Sequence, residues 1–528
     1  MGHMMTNTGS LAHAQGQSRS GLEMDAPDTP PTSRHVAKGA GTALLARAGG
    51  AIEIISQPLY VLLFGLPTYG LYTVLWAAVN LTENIFDMGM TNALQRVVPQ
   101  AKNDAERAAA LRSAMIAGVG PCLLIALLAS LAAPWIAPIV NVAAKDADAV
   151  VTGIHIFAWA LPFWAYVEIA TSALRSRKAF GPEIRLRILW EQVMRMIAAT
   201  ALWALGAGAL GLLIAHITSL AITCILSTRL LKRYYRLDLA LLPAGQDMFN
   251  RTLVAGISVL PSNIIGRLFA DAPPLILNVM IPGAAGASAS GLFAIARKIA
   301  SAVQLIRQAF SYVMAPLASE AVRHDKRAVT EIYAFATRLT TIVALPIVCG
   351  LIGTGSAVLG LFGPAGQAAW WPLALLTIAR LIEAITGAAG AIQNVISRYH
   401  HPLYGAALGL ITSLILIAFL LPEEGIVGMG IAVAAGIVVS DIVPVWMLWR
   451  HDHIQPFEAP YLRVATISTL ISLVILGLTF AATPLPDAPR LIGGVILILA
   501  GIWASGRFGL PEGDKLALGK TARKLRLI

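Results

Sequence analysis

Apolar residues in this chain come in long blocks rather than in alternation or in one-face stripes. Each block is about 20 residues long, the length at which a helix crosses the hydrocarbon core of a bilayer. Fourteen spans are predicted, at about 40–64, 70–93, 114–138, 152–174, 190–207, 210–229, 252–281, 288–318, 334–353, 369–394, 402–421, 424–449, 463–482 and 488–506. Short turns such as PTYG, GAGALG and PGAAGASASG separate many of them. Composition agrees. Of 528 residues, 57% are hydrophobic and 13% charged, with a mean hydropathy of +0.72. A soluble domain carries about 25% charged residues. The pattern therefore predicts an all-α, polytopic membrane protein.

The net charge of +11 would suit a nucleic-acid binder, but its distribution argues otherwise. Lys and Arg crowd the loops after even-numbered spans, as in RSRK (175–178), RLLKRYYR (229–236) and RHDKR (323–327). Loops after odd-numbered spans carry only Lys145 and Arg490. Positive loops stay in the cytoplasm, so both termini are expected there. The longest loop on the other side, near 134–151, leaves no room for an extracellular catalytic domain.

Residues 1–38 are polar and read as a disordered cytoplasmic tail, without a signal-peptide apolar region. The expected organisation then continues with spans 1–6 in 39–236, spans 7–12 in 237–450, spans 13–14 in 451–507, and a basic cytoplasmic tail in 508–528. A weak repeat supports two halves. Pro58, Pro99, Asp104, Arg112 and Pro121 are matched at a near-constant offset by Pro273, Pro316, Asp325, Arg338 and Pro346. Six-span units in parallel orientation are a common transporter design.

Charges inside the spans are the candidate chemistry. At bilayer depth each costs at least about 2.5–3.5 kcal/mol on insertion scales. Glu53, Glu83, Asp87 and Glu168 lie in the first half. Arg267, Asp271, Arg297, Lys298, Arg307, Arg380, Glu383 and Asp441 lie in the second, and Glu191 and Arg195 near the inner end of span 5. Glu83 and Asp87 share a helix face at i,i+4 and repel unless one is protonated or a cation is near. Arg267 can pair with Asp271, and Arg380 with Glu383; the second pair reads as glue between helices. Arg297, Lys298 and Arg307 have no acidic partner on their own helix. Three cations on one span are hard to bury dry, so they point to a water-filled cavity and an anion from another helix or a substrate. Prolines near a cavity are tolerated because protein and water re-satisfy the freed backbone.

Other signals are weak. GDKLALGKT (513–521) has five residues between its glycines where a phosphate loop has four, and no strand precedes it. HH at 400–401 and HDH at 451–453 read as solvated loop histidines rather than metal ligands. Cys122, Cys224 and Cys349 stand alone in apolar blocks and read as packing residues. No nucleophile–base pair has diagnostic spacing. No cofactor and no metal are expected.

NIFDMGMTNALQRVVPQ (84–100) and SGLFAIARKIASAVQLIRQAFSYVMAPLASEAVRHD (290–325) resemble the ends of the second and eighth spans of polysaccharide flippases of the Wzx type. Asp271 before an apolar run is similar to their seventh span. The layout is also similar to that of lipid II flippases; all belong to the multidrug/oligosaccharidyl-lipid/polysaccharide exporter superfamily. The resemblance covers about 40–450, and the last two spans by layout only. It implies two pseudo-symmetric six-helix lobes around a central cavity, plus two C-terminal helices, in the cell inner membrane. It implies as substrate an undecaprenyl-diphosphate-linked oligosaccharide for exopolysaccharide or O-antigen assembly, moved to the outer leaflet by a monomer working beside a polymerase and export machinery. The diphosphate would give Arg267, Asp271, Arg297, Lys298 and Arg307 a substrate-binding role, since guanidinium suits phosphate oxygens. Glu53, Glu83 and Asp87 would serve coupling or line the cavity. Lipid II flippases carry several arginines in their first two spans; here the first half is acidic after Arg47. A cation-coupled exporter of the same superfamily, or a lipid II flippase, is the alternative. A polymerase or ligase would need a large external loop, which is missing.

Overall fold

The computed structural model describes residues 51–177, 179, 186, 190–240, 245–321, 326–396 and 400–527. The expected tail at 1–38, Arg47 and Asp325 lie outside them, as does the Glu53 side chain. Among the described residues every regular element is helical. A lipid environment dictates this, because a helix satisfies its backbone hydrogen bonds internally.

The first half comprises α1 (Ala51–Phe64), α2 (Leu66–Phe86), α3 (Met90–Val97), α4 (Asp104–Ala114), α5 (Gly120–Leu131), α6 (Val150–Phe157), α7 (Ala160–Ser176), α8 (Glu191–Ala204) and α9 (Gly208–Leu231). A π-helical turn at Met115–Val119 joins α4 to α5, just before Pro121. The second half comprises α10 (Gln246–Ile257), α11 (Leu260–Met280), α12 (Gly283–Ala321), α13 (Lys326–Gly353), α14 (Trp370–Thr386), α15 (Ala388–Val395) and α16 (His400–Asp452). Gly425, at φ 55°, turns α16 back on itself, so it accounts for two predicted spans. α17 (Ala459–Ala481) and α18 (Asp487–Ala504) pack on α13. Small residues bring these helices close: a Cβ at Gly350 would lie 2.3 Å from Ile498, and one at Gly353 1.8 Å from Thr479 Oγ1.

Where they fall on described residues, the predicted spans lie on helices or runs of helices. Nine helices among the described residues are long and apolar enough by themselves to cross a membrane. Boundaries moved where a side chain ends a helix. The second span was predicted to reach 93, but α2 stops at Phe86. Asp87 accepts a hydrogen bond from Gly89 N at 2.8 Å, and Met88 and Gly89 take φ of 53° and 70°. The C-terminal residues form α19 (Glu512–Leu518) and α20 (Lys520–Lys524). α19 is anchored under α13 by a bidentate Arg338–Asp514 pair at 2.6 and 2.9 Å, with Leu510 buried beside it.

The halves meet along α2, which packs on both α11 and α12. One apolar core crosses this seam, with Tyr69, Tyr72 and Leu75 in the same cluster as Leu292, Phe293 and Ala296.

Candidate functional site

The halves touch at both ends of the molecule. At the end away from the basic loops, a Cβ at Gly70 of α2 would lie 1.8 Å from the Ala287 carbonyl oxygen of α12. Beside it, Asn141 and the buried Asn278 clasp each other. Asn141 N donates to Asn278 Oδ1 at 3.0 Å, Asn141 Nδ2 to Asn278 O at 2.8 Å, and Asn278 Nδ2 to Asn141 O at 2.7 Å. Gly283 N donates to Asn141 Oδ1 at 2.8 Å. The loop that carries Asn141 is fixed to its own half by Thr68 Oγ1 donating to Asp146 and by Lys145 donating to Phe64 O. At the basic end, α3 meets α10. A Cβ at Gly89 would lie 2.3 Å from Gly256 O, and one at Gly256 would lie 2.3 Å from Met88 O.

Between the two contacts stand the charges of the second half. Arg267 of α11 lies 13 residues before Met280, and Arg297 of α12 lies 14 residues after Gly283. At 1.5 Å per residue both are about 20 Å from that end. Both reach Asp271. Arg267 Nη1 is 3.7 Å from Oδ2, and Arg297 Nη2 is 3.8 Å from Oδ1. These distances exceed hydrogen-bonding range, so the carboxylate balances charge while leaving donors available. Asp271 Oδ2 and Arg297 Nε have no hydrogen-bond partner. Asp271 is buried, but 37% of the Arg267 side chain and 29% of the Arg297 side chain remain exposed. This partial exposure sets the two arginines apart from a fully buried ion pair, which carries the whole desolvation cost.

A second group lies along α12 and α14. Glu383 meets Arg380 Nη1 at 2.5 Å and Arg307 Nε at 2.8 Å, with Gln304 Nε2 at 3.4 Å. Asp441 of α16 interacts electrostatically with both arginines. The expected Arg380–Glu383 pair is thus present, and Arg307 finds its anion on a neighbouring helix. The Arg307 side chain is 27% exposed. Lys298 is half-buried, adjacent to Arg297. Two arginines thus stand against the single carboxylate of Asp271.

Two acidic residues of the first half, Glu83 and Asp87, hold local partners. Glu83 is buried and accepts from Asn84 Nδ2 at 2.8 Å. Asp87 is buried and serves the turn between α2 and α3, accepting from Gly89 N and, at 3.5 Å, from Thr91 Oγ1. A short side-chain acceptor of this kind stabilises a chain reversal.

The sequence reading also missed a sealed polar network in the first half. Arg195 and Glu191 of α8 pair at 2.5 Å with side chains 6% and 2% exposed. Arg195 also donates to Ser219 Oγ and Tyr72 OH at 3.4 and 3.5 Å. Tyr72 OH meets Nδ1 of the fully buried His216 at 3.0 Å, and the Trp76 ring lies 4.1 Å from the imidazole. A lone histidine in the apolar block LLIAHITSL was the available signal. The two histidine motifs also converge: the His401 and His451 rings are 5.4 Å apart. Among the described residues no three His, Cys, Asp or Glu side chains gather as a metal site.

Several comparisons bear on this arrangement. A family model described as "Polysaccharide biosynthesis protein" matches residues 63–364. No curated protein matches in sequence. Among solved structures the chain is similar to "Lipid II flippase MurJ, inward closed conformation" at 13% identity and TM-score 0.67, covering 87% of this chain and 97% of that one. It is similar to an inward-facing multidrug resistance MATE family transporter of the MOP superfamily, at 14% identity and TM-score 0.60, with coverages of 80% and 95%. A Vibrio cholerae MATE transporter, VcmN, is similar at 14% identity and TM-score 0.58, with coverages of 80% and 97%. These likenesses give the fold, a membrane-transporter bundle. With more than half of its residues matched by the family model, the chain belongs to the polysaccharide biosynthesis protein family.

Proposed function

We propose that this protein is a flippase. It carries an oligosaccharide linked to undecaprenyl diphosphate from the cytoplasmic to the periplasmic leaflet for exopolysaccharide or O-antigen assembly. The observation that carries this reading is the set of half-exposed cations about 20 Å inside the bundle, held loosely by one carboxylate between two end contacts. A sugar needs no cation, whereas a diphosphate does.

Arg267, Arg297, Lys298 and Arg307 take the diphosphate by charge-assisted hydrogen bonds. Asp271 holds Arg267 and Arg297 apart and offsets their charge when the site is empty of substrate. Anion entry gives the arginines closer acceptors than the long ion pair supplies, and their positive charge offsets the charge that enters. The Asn141–Asn278 clasp and the Gly89–Gly256 contact are the two gates, opened in turn. Six-span lobes at 39–236 and 237–450 rock against each other along α2. The positive-inside pattern of the basic loops supports a cytoplasmic position for that end and for both termini, with the protein in the cell inner membrane. Delivery to a polymerase and export machinery follows from the product's chemistry. MurJ, as named, flips lipid II; that kinship of fold supports a lipid-linked substrate here.

The likeness in fold to MATE transporters favours a second reading, a cation-coupled small-molecule exporter using Glu53, Glu83 and Asp87. One experiment separates the two. In a deletion strain without a redundant flippase, complete diphosphate-linked oligosaccharide should accumulate facing the cytoplasm. Unchanged lipid-linked intermediates would reject the flippase and leave the exporter.

A further inference from the structure

The central cations do not account for a second cleft, of about 350 Å³, at the basic end. It is lined by Arg96, Val97 and Gln100 at the end of α3, and by Asn250, Arg251, Val254 and Ala255 of α10. The two walls therefore come from different halves, just where Gly89 and Gly256 touch. Among the described residues, neither Arg96 nor Arg251 makes an ion pair or a side-chain hydrogen bond. Asp247 lies one turn before Arg251, yet no ion pair closes between them. Among the described residues no carboxylate lines the cleft. Two arginines, a glutamine, an asparagine and three apolar residues thus line one volume. Guanidinium forks and amide N–H groups match phosphate oxygens, and Val97, Val254 and Ala255 suit the aliphatic part of an amphiphile.

We infer that this cleft binds a phosphate group and, by bridging Arg96 to Arg251, latches the two halves together at the basic end. The phosphate belongs either to an anionic phospholipid headgroup or to a soluble diphosphate; both present the same oxygens to the same arginines. Bound phosphate favours the state in which α3 and α10 touch, because both walls contribute donors only then. A ligand shifts such an equilibrium by its preference for one state. This site is distinct from the central one and does not depend on the identity of the transported substrate.

The test is hydrogen exchange of the full chain in phosphatidylcholine vesicles, read in peptides covering 92–100 and 246–254. Two probes are added separately: phosphatidylglycerol in the vesicles, and inorganic pyrophosphate in solution. Slower exchange with phosphatidylglycerol alone assigns a lipid headgroup, with pyrophosphate alone a soluble diphosphate, and with both a general phosphate site. In each case Arg96→Gln/Arg251→Gln should raise the half-maximal probe concentration at least about tenfold, equivalent to about 1.4 kcal/mol. Arg96→Lys/Arg251→Lys should keep part of the response and reports on folding. Arg233→Gln/Arg236→Gln, which removes exposed charge elsewhere on the same end, should leave it intact. No slowing with either probe, or slowing unchanged by the Gln pair, overturns the inference.

Discussion

Each half of the molecule holds charges among its spans, and the two sets behave differently. In the first half Glu191 and Arg195 pair at 2.5 Å and are sealed from water, with Tyr72, Ser219 and His216 completing the network. In the second, Arg380 and Arg307 likewise close on Glu383 at 2.5 and 2.8 Å, but Arg267 and Arg297 stand at 3.7 and 3.8 Å from one carboxylate and stay partly exposed. The residue types are the same. Tight geometry and dryness mark charges spent on holding helices together, whereas loose geometry and exposure mark charges kept available.

The comparison breaks most easily at Arg195. Replacing it by Leu leaves Glu191 buried without its partner, and truncating one member of such a pair costs about 3–5 kcal/mol. Little folded protein should survive in size-exclusion chromatography. Arg297→Gln should leave the folded fraction near wild type, because that side chain is already partly exposed and its ion pair is long. Equal losses for both variants would erase the distinction.

Gly70→Ala should act next in size. A Cβ there meets backbone, not a flexible side chain, and overpacking of this sort costs about 1–3 kcal/mol. The Gly70–Ala287 contact should part, and disulfide formation between N141C and N278C should fall. An unchanged yield would mean that the two halves do not close through this contact.

Asp87 gives the smallest effect and sharpens the acidic side. As a turn residue it needs an acceptor, not a charge. Asp87→Asn should retain transport, while Asp87→Ala should lose about 1 kcal/mol of stability, by analogy with lost helix caps. Loss of transport in Asp87→Asn with full folding would instead make Asp87 a titrating group.

These differences explain what was legible in the sequence. The helices were, because a bilayer forces each span to be apolar for its whole length. The end of α2 was not, because Met88 adopts a positive φ that its residue type does not signal. The i,i+4 and i,i+3 relations of Arg267–Asp271 and Arg380–Glu383 were visible as spacing. The reach of Arg297 to Asp271 and of Arg307 to Glu383 was not, since both pairs join different helices. His216 was hidden for the opposite reason: one polar residue in an apolar block carries no pattern until Tyr72 and Trp76 are packed on it. Arg96 and Arg251 share no pattern in the sequence and meet only as the lining of one cleft.

The most direct measurement is translocation by Arg297→Gln/Lys298→Gln at matched levels of folded protein. The account predicts that flipping of the diphosphate-linked oligosaccharide stops, with complete intermediates held on the cytoplasmic leaflet. Normal polymer output from that double variant would contradict it.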